Sequence, residues 1–222
     1  MRVSSETSPQ RASRFESRSE SIGRAGSVCT ALLGLLMVVA VGAGAANGPE
    51  LRAGVFDPPR AAPEFVLKGS NGSELTLSRY RGKVVALGFG YTHCPSVCPA
   101  TLGLLAQARK KLAAEDGNFQ VIYVTVDPER DTPQQLKTFL AAFDPTFLGA
   151  TGTSQQLADV RKAYGITLSD KIFVQTMPKS NYFLDHSSFI YLIDRNGQLR
   201  AMMPFGVSAD DMEHDVKLLL AK

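Results

Sequence analysis

Residues 83–99 read Lys83-Val-Val-Ala-Leu-Gly-Phe-Gly-Tyr-Thr-His-Cys-Pro-Ser-Val-Cys-Pro99. Lys83 to Phe89 is an apolar run of the kind found in a strand covered on both faces. Pro99 has no backbone N–H and fits the first turn of a helix. A buried strand therefore hands over to a helix, with Cys94 and Cys98 in a short loop against the helix N-terminus. The helix dipole and unpaired N–H groups there favour the thiolate form. The chain has 3 cysteines, and the third, Cys29, lies in an apolar N-terminal segment. The pair is either a disulfide, a metal clamp, or both. A bond closing so small a loop constrains the unfolded chain little, which favours metal or redox work over a structural staple.

Reading outward, Leu102, Leu105 and Leu112 give the following helix one inward face, and Phe119 to Val126 is a second buried strand, so the three make a βαβ unit. Upstream, Phe65-Val-Leu67 and Leu75-Thr-Leu77 flank Asn71-Gly72 and predict a small hairpin. Downstream, Asp131-Thr-Pro-Gln134 offers an N-cap to a helix carrying Leu136, Phe139, Leu140 and Phe143. Thr153-Ser-Gln-Gln156 reads as a capping box for a helix that stops at Gly165. Phe189 to Ile193, Asn196-Gly197 and Gln198 to Met203 predict a second hairpin. Ser208 caps a last helix with Met212, Val216 and Leu219 on one face. The element order is that of an α/β protein with a thioredoxin-like fold: a central mixed sheet flanked by helices, with N-terminal and C-terminal hairpins.

Ahead of this domain, residues 1–27 form a polar basic tail in which five arginines face three glutamates. Residues 28–46 carry no charge and match the ~20 residues that a helix needs to cross a bilayer. They read as a membrane anchor, or as a signal segment cleaved after Ala43-Gly44-Ala45. Positive charge before the segment keeps the tail cytoplasmic, so the domain faces the periplasm from a single inner-membrane anchor, or is secreted there after cleavage. Residues 47–61, with Pro58 and Pro59, read as a tether, and residues 62–222 as the folded domain. The formal net charge of +3 is largely accounted for by the tail, so nothing calls for a nucleic-acid partner.

Three stretches carry a specific likeness. Gly90-Tyr-Thr-His-Cys-Pro-Ser-Val-Cys-Pro99, Val126-Asp-Pro-Glu-Arg-Asp-Thr132 and Tyr182-Phe-Leu-Asp-His-Ser187 resemble the signatures of the SCO/SenC family, and the resemblance covers residues 62–221. It implies a membrane-tethered copper protein of thioredoxin fold that helps to assemble the dinuclear copper centre of cytochrome c oxidase. The copper ion would be held by Cys94, Cys98 and His186. The implied partners are the copper-bearing oxidase subunit and other copper chaperones or thiol reductants. The donor chemistry agrees, because two soft thiolates and one imidazole make a three-coordinate set that Cu(I) accepts. A structural zinc site wants four protein ligands, and three are in sight. The rival function is a thiol-disulfide oxidoreductase that reduces the acceptor's cysteines. In it Cys94 and Cys98 are the catalytic redox pair and His186 is not needed.

Ser96 stands where many family members carry an aspartate, so one negative charge beside the thiolates is missing. Many thioredoxin-fold oxidoreductases place a cis-proline before the corresponding strand, and this chain has Asp185-His186 instead. His93 neighbours Cys94 but points to the opposite face of an extended strand end, which suits a supporting role. His214 reads as a surface residue. Asp127, Arg130 and Asp131 read as turn chemistry, with Asp131 capping a helix and Arg130 paired to an acid. Asp185 is a candidate to orient His186 through its second nitrogen. Met177 reads as a loop methionine, and alternation on a strand buries one of Met202 and Met203.

Overall fold

The computed structural model describes residues 50–221, apart from Asp116 and Met177. The tail 1–27, the segment 28–46 with Cys29, and Met177 thus lie outside the described residues. Among the described residues no helix is long and apolar enough to cross a membrane.

The chain runs β1 (Gly54–Ala61), β2 (Val66–Gly69), β3 (Glu74–Thr76), β4 (Val84–Gly90), α1 (Val97–Lys111) and β5 (Phe119–Thr125). It continues with α2 (Pro133–Ala141), β6 (Leu148–Thr151), α3 (Ser154–Tyr164), β7 (Ile172–Phe173) and β8 (Tyr182–Phe183). β9 (Ile190–Ile193), β10 (Gln198–Met203) and α4 (Ala209–Leu220) complete it. One sheet has the order β1-β10-β9-β4-β5-β6-β2-β3, and β7 pairs with β8 in a separate ribbon. β4 pairs with β5 in parallel from Val84 opposite Phe119 to Gly90 opposite Thr125, and β5 pairs with β6 in parallel. β9 runs antiparallel to β4 on the other side. The sheet is mixed, with both expected hairpins in place as β2–β3 and β9–β10.

All seven residues of β4 are buried, as an apolar run covered on both faces requires. The parallel crossovers place α1 and α2 on one face of the sheet, since such connections are right-handed; α4 packs against α1. Neighbouring residues on a strand point to opposite faces. Phe89 accordingly meets Tyr164 of α3 and Tyr191 of β9 on the far face, while Gly88 and Gly90 face the α1 layer. Met203 is buried and Met202 half-buried, as alternation demands.

The helix starts follow their capping chemistry. Thr132 caps α2 and Thr153 caps α3, each in a capping box with the glutamine three residues on. Gly165 closes α3 with a φ of 68°, a left-handed conformation that glycine adopts without penalty. Two expectations need correcting. Asp131 is not the cap of α2, because Thr132 fills that position and leaves the carboxylate free for a buried role. The stretch 47–61 is not wholly a tether, because Gly54 to Ala61 form β1 and pair with β10, from Gly54 opposite Met202 to Ala61 opposite Gln198. The folded unit begins before Ala62. The Arg52 and Ala53 N–H groups donate to the Asp215 carboxylate of α4 at 2.8 and 3.0 Å, and that carboxylate is fully buried.

Candidate metal centre

α1 begins at Val97, two residues before Pro99, so Cys98 and Pro99 sit in its first turn and Cys94 in the loop before it. Ser96 is the N-cap, yet its side chain makes no capping hydrogen bond. The Cys98 N–H instead donates to Cys94 Sγ at 3.4 Å. A sulfur takes the acceptor role that a Ser or Asp oxygen usually fills, and the positive end of the helix is left for a thiolate.

Cys94 is half-buried, Cys98 is buried, and both are free thiols. The hydrogen bond from the Cys98 thiol is the main cause that lowers Cys94 to about 5. Burial opposes it, and the N–H groups of Cys98 and Ser96 add to it. Cys98 is pushed the other way, first by that same bond and then by burial. The two sulfurs therefore share one proton at neutral pH, with the charge on the outer one.

His186 arrives from the segment between β8 and β9. A bridge to Leu168 and the bonds Ser169 N–H to Asp185 O (2.8 Å) and Ser187 N–H to Thr167 O (3.2 Å) pin this segment. His186 Nδ1 lies 2.9 Å from the Ser187 carbonyl oxygen, which can only accept. Nδ1 thus carries the hydrogen, and the Nε2 lone pair faces Cys98 Sγ at 3.7 Å. The ring also stands edge-on to Tyr91, centroids 6.0 Å apart. Asp185 is exposed and does not orient the imidazole; the Ser187 carbonyl does so. The structure brings Cys94, Cys98 and His186 to one place. Among the described residues no three His, Cys, Asp or Glu side chains are already closed round a single point. The layout is a dithiol beside an imidazole rather than a finished cage.

The stretch Val126 to Thr132 ties the two halves together. Asp131 is fully buried; it accepts from Thr92 N–H at 3.1 Å, Thr92 O–H at 2.6 Å and Thr125 O–H at 2.6 Å. Burial raises its pKa, and these donors oppose the rise. This anchor fixes the backbone two residues before Cys94. Asp127 accepts from Tyr182 O–H at 2.7 Å and from Arg130 Nε at 2.5 Å. Arg130 Cζ lies over the Tyr182 ring, 3.6 Å from its centroid, and Arg130 donates to the Tyr182 carbonyl at 3.0 Å. That grip holds the strand leading to His186. The expected Arg130–acid pair is present, and it braces the site as well as the turn.

His93 is exposed, with Nδ1 3.0 Å from Thr92 Oγ1 and 4.0 Å from Asp131 Oδ1, so it borders the loop anchor. His214 belongs to the junction of α4 with the chain before β1, 3.0 Å from Asp215. Sequence reasoning missed Tyr91, Tyr123 and Tyr182, which line or brace the centre. Their signal was weak, because an aromatic in an apolar strand reads as core.

Comparison with known proteins gives the same frame. A model of the SCO1/SenC family matches residues 56–221. An SCO2-like protein of Rickettsia conorii is 35% identical over 146 residues, covering 64% of this chain and 68% of its own length. ScoI of Bradyrhizobium japonicum, solved with copper bound, superposes with a TM-score of 0.65 at 31% identity, over 72% of this chain and 99% of that one. BsSco, described as a member of the Sco family of cytochrome c oxidase assembly proteins and as holding a disulfide switch, superposes with a TM-score of 0.57 at 26% identity, over 73% of this chain and 95% of that one. The family match across the whole described fold and the thioredoxin-like neighbours lead to one conclusion: the chain belongs to the SCO1/SenC family.

Proposed function

We propose that the protein is a copper metallochaperone that receives Cu(I) on Cys94, Cys98 and His186 and passes it to the copper-bearing subunit of cytochrome c oxidase. The observation that carries this reading is the approach of His186 Nε2 to within 3.7 Å of Cys98 Sγ across 88 residues of sequence. A soft ion shared by two thiolates and an imidazole takes the Nε2 lone pair as its third donor. The Ser187 carbonyl fixes the tautomer, so Nε2 presents its lone pair without rearrangement. Cys94 is ready as a thiolate, and Cys98 gives up its proton on taking the cargo. The half-buried Cys94 is the sulfur that an acceptor can reach, so ligand exchange begins there.

Residues 28–46 serve in this reading as an inner-membrane anchor that holds the domain in the periplasm, near a membrane-embedded oxidase and the chaperones or thiol reductants that supply it. Membrane fractionation of the intact chain tests the anchor, since release of the domain into the soluble fraction would mean cleavage near Ala45.

Competition of the reduced domain with a Cu(I) chelator tests the ligand set. His186→Ala weakens Cu(I) binding by at least about tenfold, and Cys94→Ser or Cys98→Ser by more. Equal affinity of His186→Ala and wild type would remove histidine from the set.

A second reading draws on the low pKa of Cys94 beside a protonated Cys98, which is the arrangement of an attacking thiolate. Here Cys94 attacks an acceptor disulfide and forms a mixed disulfide. Cys98 then attacks Cys94 Sγ and displaces the acceptor; its proton goes to one departing sulfur and solvent protonates the other, so the acceptor leaves with two thiols while Cys94 and Cys98 become bonded. Full reductase activity in His186→Ala would favour this route.

A further inference from the structure

Tyr123 stands in the middle of β5, 1% exposed, opposite Gly88 in the register of β4. Its ring covers the space that side chains at Gly88 and Gly90 would fill. A Cβ on Gly88 would lie 3.2 Å from the ring. A Cβ on Gly90 would lie 1.8 Å from the Tyr123 hydroxyl oxygen and 2.7 Å from Cys98 Sγ. The phenol and the buried sulfur thus flank one atom-sized gap, which exists because residue 90 has no side chain.

The Tyr123 hydroxyl is buried and meets no hydrogen-bond partner of ordinary geometry among the described residues. Leaving such a group unpaired costs about 1–3 kcal/mol, and a native orphan at a reactive centre calls for a reason. The neighbouring sulfur supplies one. A thiol sulfur is a weak acceptor, and a thiolate is a strong one that shortens and strengthens the bond. The contact between the phenol and a Cys98 thiol is therefore a weak one, short of ordinary hydrogen-bond geometry. Once Cys98 becomes a thiolate, a donor is already in place.

We propose that Tyr123 is a positioning residue of the dithiol, its O–H reserved for the Cys98 thiolate in the copper-loaded protein. This rests on the copper reading above. The bond draws electron density from the sulfur that stays buried, which favours Cu(I) over Cu(II) and leaves Cys94 as the sulfur that is exchanged first. Hydrogen bonding to a cysteine sulfur is an established lever on copper potentials.

The test is Tyr123→Phe in the full chain, which removes one oxygen and keeps the ring. The metal-free variant keeps or raises the wild-type Tm, because an orphan hydroxyl leaves the interior. The ratio of Cu(I) to Cu(II) affinity falls about tenfold, equivalent to ~59 mV for a one-electron couple. The thiolate-to-Cu(II) charge-transfer band moves to lower energy. An unchanged potential and band would overturn the proposal, and so would a lowered Tm with both unchanged, the mark of a purely structural phenol. Failure of the copper reading looks different: wild type itself would then show no thiolate band that Cys98→Ala abolishes.

Discussion

Cys94 owes its charge to one neighbour more than to the helix it precedes. The Cys98 thiol donates to it and is the largest cause of the fall from 9.0 to about 5, ahead of the backbone N–H groups. Alkylation of the reduced, metal-free protein at Cys94 therefore shows a midpoint near pH 5. Cys98→Ala moves that midpoint up toward the ordinary thiol value, and mass spectrometry of the labelled peptide reads both. A midpoint unmoved by Cys98→Ala would assign the shift to the helix N-terminus instead. Linkage sets the sign for stability. Cys94 is depressed in the folded state, so its contribution is fully present above pH 9.0 and is lost as pH falls toward about 5. Cys98 is raised, so it acts the opposite way, and stability falls as pH climbs past the ordinary thiol value.

Among the elements, the loops at the carboxyl ends of β4 and β5 carry more of the site than the helices do. Asp131 joins them, binding Thr92 of one and Thr125 of the other. Asp131→Ala leaves three buried or half-buried donors without their acceptor, for a loss of about 1–3 kcal/mol in urea unfolding with unchanged m-value. The same variant frees the backbone ahead of Cys94, so Cu(I) affinity drops although no ligand is altered. Retained stability and affinity would show that water replaces the carboxylate. The role of Asp131 was not legible in the sequence. An Asp-Thr-Pro string reads equally well with either of its first two residues as the cap, and only the course of β4 past β5 brings Thr92 within reach of the carboxylate.

For the whole molecule, the fold begins earlier than hydropathy suggests. β1 is a mostly exposed edge strand holding two prolines, so it lacks the alternation that marks a half-buried strand. Its worth lies in what it completes, since the chain before it supplies both N–H donors to the buried Asp215. A chain starting at residue 62 should melt several degrees below one starting at residue 50, at about 2–4 °C per kcal/mol for a domain of this size. Equal melting in calorimetry would make β1 dispensable. The central strands, both hairpins, the capped helices and the Cys94/Cys98 junction were legible in the sequence because each rests on contacts a few residues apart: periodicity, caps, turns and a thiol pair at one helix start. His186 was recognisable through resemblance alone, since spacing does not single out one histidine 88 residues from Cys98. Tertiary structure alone decided that its Nε2 faces that sulfur, that Asp127 and Arg130 clamp the strand before it, and that Tyr123 reaches the gap above Gly90. Local order follows from neighbouring residues, whereas a site built across four strand ends depends on sheet order and register, which no single segment contains.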